Sequence, residues 1–122
     1  MSIATNRKAW HEYHIFDKYE AGIVLLGSEV KAIKEAKVSI KESYVRFINN
    51  ELFIIGMHIG DYSNGGYSKH ESMQNRKLLM HRNELKKIKI KSDEKGMTLI
   101  PLSIYQKKNL IKIEFGIAKG KK

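Results

Sequence analysis

The sequence predicts a mainly β chain with short helices, folded as an antiparallel barrel of about six strands of the oligonucleotide-binding (OB) type. Three observations lead there. Most segments alternate apolar and polar residues with period two, the pattern of half-buried strands. Two such runs turn back on themselves, one at Asn49-Asn50, a pair that tolerates positive φ, and one near Lys108-Asn109. The formal net charge is +10, with a pI near 9.7, which suits a barrel that binds a polyanion. A β-sandwich is the architecture that periodicity alone leaves open.

Along the chain, "HEYHIFDKYEAGIVLLG" (11–27) has room for two strands about Asp17-Lys18. Ser28 is the expected N-cap of a short helix through "EVKAIKEA", with Val30, Ile33 and Ala36 facing inward. "SYVRFINNELFIIGMHI" (43–59) reads as the first hairpin. Residues 60–75, "GDYSNGGYSKHESMQN", read as a long mobile loop, of a length that in a compact domain is either functional or disordered. Asn83 is expected to cap a second helix, "ELKKIKIKSDEK", in which Leu85 and Ile88 pack, with Gly96 closing it. "MTLIPLSIYQKKNLIKIEFGIA" (97–118) reads as the second hairpin, and Pro101, which has no N–H for a ladder, requires an edge or a bulge there.

One domain, 1–122, accommodates all of this. No apolar run approaches the roughly 20 residues of a membrane span, and "MSIATNRKAW" lacks a signal peptide's apolar centre. A cytoplasmic protein without a membrane partner is the expectation. Zero cysteines exclude disulfides, thiolate metal sites and thiol nucleophiles. The five histidines, 11, 14, 58, 70 and 81, form no H-x₃-H pair and no HExxH, so no metal or other cofactor is expected. His58, within "FIIGMHIG", is expected to be buried. No G-x-S-x-G elbow occurs and the carboxylates are scattered, so the chain is read as a binding protein and not an enzyme.

A cationic excess draws nucleic acid by releasing condensed counterions, and interleaved aromatic rings offer stacking platforms. Tyr44 and Tyr105 are expected in the core. Trp10 either stacks on a base or packs against the barrel. An isolated carboxylate on such a face needs its own account, because every phosphate repels it. Glu20 and Glu29 both interrupt "YEAGIVLLGSEVKAIKE" (19–35). Glu29, beside Ser28, is read as structural, at a helix N-terminus where negative charge is favoured. Glu20 either pairs with a neighbouring cation or reads a base edge.

"NRKAWHEYHIFDKYEAGIVLLGSEVKAIKEAKVSIKESYV", "MHI", "NRKLLMHRNEL", "EKGMTLIPLSIY" and "KIEFGIAKGKK", spanning Asn6 to Lys122, resemble the small protein B family of bacterial tmRNA-binding proteins. The resemblance implies an OB-type barrel without catalytic activity. It implies as partners the tRNA-like domain of tmRNA and, through small-subunit rRNA, the stalled ribosome, with a monomer acting in trans-translation. By position in the blocks "N-x-x-A-x-H-(D/E)-Y" and "(Y/F)-E-A-G", it implies RNA contacts from Asn6, His11 and Glu20, with Gly22 allowing close approach. Leu79 of "RKLLM" matches a position on the same face, and Arg76 and Lys77 beside it would contact phosphate. Lys8, Trp10, Lys119 and Lys121 complete the expected RNA-binding set; Trp10 stands where the family usually has a basic residue. The resemblance also implies a basic C-terminal tail beyond Lys122, where this sequence ends. Glu20 is then a base reader, since a carboxylate accepts hydrogen bonds from base amino and imino groups. A generic OB-type binder of single-stranded nucleic acid is the alternative.

Overall fold

The computed structural model describes residues 2–61 and 72–121. In chain order the elements are β1 (Ser2–Thr5), α1 (Arg7–Glu12), β2 (Tyr13–Ile23), α2 (Gly27–Lys34), β3 (Val38–Ser39), β4 (Tyr44–Ile48) and β5 (Glu51–Ile55). They continue with β6 (His58–Ile59), β7 (Arg76–Leu79), α3 (Arg82–Ser92), β8 (Met97–Lys107) and β9 (Leu110–Gly120). All strand pairs are antiparallel. The order β8-β4-β5-β7-β2-β9 closes on itself because β9 also pairs with β8, giving a ring of six strands. This is the OB-like arrangement that the alternation predicts; closure leaves few free strand edges. β1 adds to β8, and β3 with β6 forms a separate two-stranded ladder.

Both hairpin turns fall where the sequence places them. Asn49 and Asn50 have φ of 51° and 67°, and Lys108 and Asn109 have 50° and 67°. Two successive left-handed residues match the twist of the flanking strands. Inward residues of every ring strand, among them Val45, Leu52, Ile54, Leu78, Ile104, Ile113 and Phe115, fill the core. Ile33 of α2 and Ile88 of α3 are fully buried in it, and Leu85 packs against it. A second cluster of Ala9, Ile100, Leu102 and Ala118, with Tyr13 and Ile15 against it, seats α1 outside the ring. Pro101 sits at a shift in the β8–β9 register, as the missing N–H requires.

Several details differ from expectation. Residues 13–23 form one strand and not two: β2 keeps its pairing with β9 on both sides of a bulge between Ile15 and Asp17. Asp17 and Lys18 face solvent there, where a polar pair does not need a turn. Beside the bulge β2 passes close over Gly116, where an added Cβ would stand 2.8 Å from Ile15 Cγ2 and 3.1 Å from the Asp17 carbonyl oxygen. α1 was not legible, since it is six residues long and its N-cap Asn6 makes no side-chain capping bond. α2 begins one residue before Ser28, with Leu26 as N-cap, and Ala36 leaves it in the left-handed region (φ 62°), exposed. α3 starts after His81 and not at Asn83; Gly96, at φ 82°, makes the turn into β8. His58 and Tyr44 are exposed, because each occupies an outward position of its strand. Most of the long loop expected over 60–75, with Tyr62, Tyr67 and His70, lies outside the described residues. Among the described residues no helix is long and apolar enough to cross a membrane.

Candidate nucleic-acid interface

Period two along β2 turns Lys18, Glu20 and Gly22 outward, opposite Gly116, Glu114 and Lys112 of β9. β8 continues the face, with Ser103 opposite Glu114 and Tyr105 opposite Lys112. The neighbouring β7 places Leu79 opposite Gly22 on the other side. Three long strands, β2, β8 and β9, together with the short β7, therefore gather residues from three separate parts of the chain onto one surface.

Glu20 lies at its centre. The Tyr105 hydroxyl donates to Glu20 Oε2, and the Lys107 ammonium stands 3.4 Å from Oε1. The tyrosine hydrogen bond holds the Glu20 carboxyl below its ordinary range, with Lys107 and Lys112 adding to the effect. Reciprocally, partial burial and the adjacent carboxylate push the Tyr105 hydroxyl well above its usual value. Glu20 is thus an oriented carboxylate, ionised at neutral pH, with acceptor sites left over: a carboxylate has about four lone-pair sites. It both pairs with a cation and remains exposed to a ligand. Replacing Tyr105 with phenylalanine should raise the Glu20 pKa toward its ordinary value, as read by NMR titration of the side-chain carboxyl. An unmoved titration would mean the hydroxyl does not set it.

At one end of this surface stands Trp10, half exposed (49%), with the Lys18 ammonium 5.7 Å from its ring centroid. The Lys121 ammonium donates to the Trp10 carbonyl oxygen, and the Lys121 backbone N–H to that of Glu12, so the end of β9 is tied to α1. His11 is exposed on α1, whereas Lys119, opposite His14 on β9, runs its side chain along Gly96 at the turn between α3 and β8 and so turns away from Trp10. At the other end Leu79, 52% exposed, lies over Gly22; a Cβ added at Gly22 would meet the leucine Cβ at 3.6 Å, an ordinary contact. The glycine keeps the surface low between Glu20 and Leu79.

Not every expected residue joins this face. Lys8 stands on the other side of α1, in a cleft with Lys41, Ser43 and Tyr44, and is 4.0 Å from Glu12. Lys77 faces outward but its ammonium is 2.6 Å from Glu51. Asn6 is only 5% exposed: its amide donates to the Pro101 carbonyl oxygen at 3.0 Å and its backbone N–H to that of Leu102, while its Oδ1 has no partner among the described residues. Asn6 fastens α1 to β8.

Arg76 corrects the expectation of a phosphate contact. It is an inward residue of β7, and its guanidinium bonds the Glu29 carboxylate through Nε and Nη2, both at 2.7 Å. It also donates to the carbonyl oxygens of Met57, Gln74 and Ser72. A side chain so enclosed cannot reach an RNA backbone. Glu29 is structural as read from the sequence, but by a different device: its Oε1 accepts the Leu26 N–H at 2.8 Å while Oε2 receives Arg76 and Gln74.

Lys18, Tyr105, Lys107, Lys112 and Glu114 belong to the surface and were not among the expected residues. Period two was a usable signal for Lys18, which shares the face of Glu20. The β8–β9 register that brings Tyr105 to Glu20 was not readable.

Fold and surface together define a small OB-like protein with a cationic outer face organised about one oriented carboxylate. The chain belongs to the SmpB protein family, whose profile matches residues 3–122. It is 52% identical over 120 residues to an SsrA-binding protein of Carboxydothermus hydrogenoformans, covering 98% of this chain and 80% of that protein. An SsrA-binding protein of Fusobacterium nucleatum is likewise 52% identical, over all 122 residues and 82% of its own length. Among solved structures, a chain of "tmRNA-SmpB: a journey to the center of the bacterial ribosome" superposes with a TM-score of 0.79 at 41% identity, covering 97% of this chain and 83% of that one.

Proposed function

We propose that this chain binds tmRNA and brings it to stalled ribosomes for trans-translation, acting in the cytoplasm as a monomeric, non-catalytic RNA-binding protein. The observation that carries the reading is its similarity, along nearly its whole length, to a chain from a tmRNA-SmpB structure on the bacterial ribosome. Geometry supplies the mechanism. Lys18, Lys107, Lys112 and Lys121 give an electrostatic floor, Trp10 offers a stacking plane, and Glu20 discriminates among bases. RNA recognition of this kind targets unstacked loop bases, which a tRNA-like fold presents. The floor alone would hold any RNA; the oriented carboxylate rewards only a base edge that donates to it.

Sequencing the RNA that co-purifies with the chain tests the reading. Strong enrichment of tmRNA is expected; recovery of transcripts in proportion to their abundance would contradict it. A second expectation concerns Lys77. Its ion pair with Glu51 is exposed and therefore weak, so the ammonium is free to exchange carboxylate for phosphate. Lys77→Ala should lower the slope of log affinity against log salt by about 0.7–0.9, one phosphate contact, in a filter-binding series. An unchanged slope would place Lys77 off the RNA.

A further inference from the structure

Beyond Leu79 the surface does not end. Between the open end of the barrel and α3 lies a groove of about 750 Å³, in the range of cavities that take small ligands. Its floor is apolar: Phe47, Met80 and Leu85, each only partly buried. Its rim is cationic. Arg82 and Lys86 project from α3 with no hydrogen-bond or ion-pair partner among the described residues, and the Lys89 ammonium lies 5.4 Å from the Phe47 ring centroid. Glu51 is the one carboxylate lining it, outnumbered by Lys77, Arg82, Lys86 and Lys89 of the same lining.

We propose that this groove receives one unstacked nucleotide of the bound RNA, its base on the apolar floor and its phosphate against Arg82 and Lys86. The inference rests on the RNA-binding reading above and extends it to a site at the far end of the barrel. Two features select a nucleotide over an acidic peptide. The groove is continuous with the Glu20 face, since Leu79 lines it and also lies over Gly22, so a strand leaving that face runs directly into it. An aromatic ring with a cation over it, floored by methyl groups and rimmed by free cations, also matches the paired demands of a base plane and a phosphate.

The test follows the methyl NMR signals of Met80 and Leu85 in the full chain. The tRNA-like end of tmRNA, a short unstructured oligoribonucleotide and polyglutamate are added in turn, alongside affinities of the variant carrying Arg82→Glu and Lys86→Glu. The proposal expects both methyl signals to move with a bound RNA and the double charge reversal to weaken RNA binding tenfold or more. RNA binding with unmoved methyl signals and an unchanged affinity in the variant would overturn it. Movement with polyglutamate and not with either RNA would also overturn it, assigning the groove to a protein. Loss of preference for the tRNA-like end, with groove signals still responding to either RNA, would instead reject the tmRNA reading and leave the nucleotide site standing.

Discussion

Arg76→Ala should destabilise the fold by about 3–5 kcal/mol, the cost of stripping one partner from a buried ion pair. Arg76 and Glu29 have side chains 1% exposed, so no water compensates the carboxylate left behind. The loss is compounded because the guanidinium also satisfies carbonyl oxygens of Met57, Gln74 and Ser72 on both sides of residues 62–71. For a domain of this size the thermal midpoint should fall by roughly 10–25 °C. The double replacement Glu29→Leu with Arg76→Met should cost less than Arg76→Ala alone, since it leaves no charge unpaired. Thermal unfolding of the three variants decides the matter; a loss under 1 kcal/mol for Arg76→Ala would put the arginine in solvent. The pair also sets a pH dependence. Burial raises the Glu29 carboxyl, but the Leu26 N–H, Arg76 and Gln74 outweigh it and hold the pKa below its ordinary value. A depressed folded pKa contributes stability above the unfolded value, lost as pH falls through the folded one. Acidification below the ordinary carboxylate range should therefore destabilise the native chain more steeply than it does Glu29→Gln.

Glu20→Ala should leave the fold intact and weaken binding to the tRNA-like end of tmRNA by about 1–3 kcal/mol, the worth of one well-placed base contact. Binding to bulk tRNA should hardly change or should tighten slightly, because a negative charge has been removed from a cationic face. Opposite responses on the two RNAs separate base reading from electrostatics, since any purely coulombic role would act on both alike. Equal losses would leave Glu20 as a mere partner of Tyr105 and Lys107. Glu20→Gln refines the result: it keeps an acceptor but removes the charge, so an intermediate loss identifies a hydrogen bond strengthened by that charge.

Local chemistry wrote the parts of this fold that the sequence disclosed. Alternation in β4, β5, β8 and β9, paired asparagines at the first turn and a proline that cannot donate are all single-segment signals, and each came out as read. α1 stayed hidden because six residues carry too little periodicity, and its stability comes from Ala9 packing on Ile100, Leu102 and Ala118, which are remote in sequence. The same division holds in the interface. Glu20, Gly22 and Leu79 were reached by position in family-like blocks and Trp10 as an aromatic ring among cations, and they do share a face. Arg76 was misplaced because charge suggests solvent, and only the fold reveals a buried carboxylate 47 residues earlier. Tyr105 was assigned to the core because its strand pattern is apolar, whereas its partner lies 85 residues away across two strand pairings.

The central claim is that a cationic barrel owes its selectivity to a few oriented acceptors and not to its charge. Direct competition between the tRNA-like end of tmRNA and an unrelated oligoribonucleotide of equal length, near physiological ionic strength, tests it most directly. The account predicts that the tRNA-like end wins by tenfold or more and that the margin shrinks in Glu20→Ala. Equal retention of both RNAs by the native chain would contradict it.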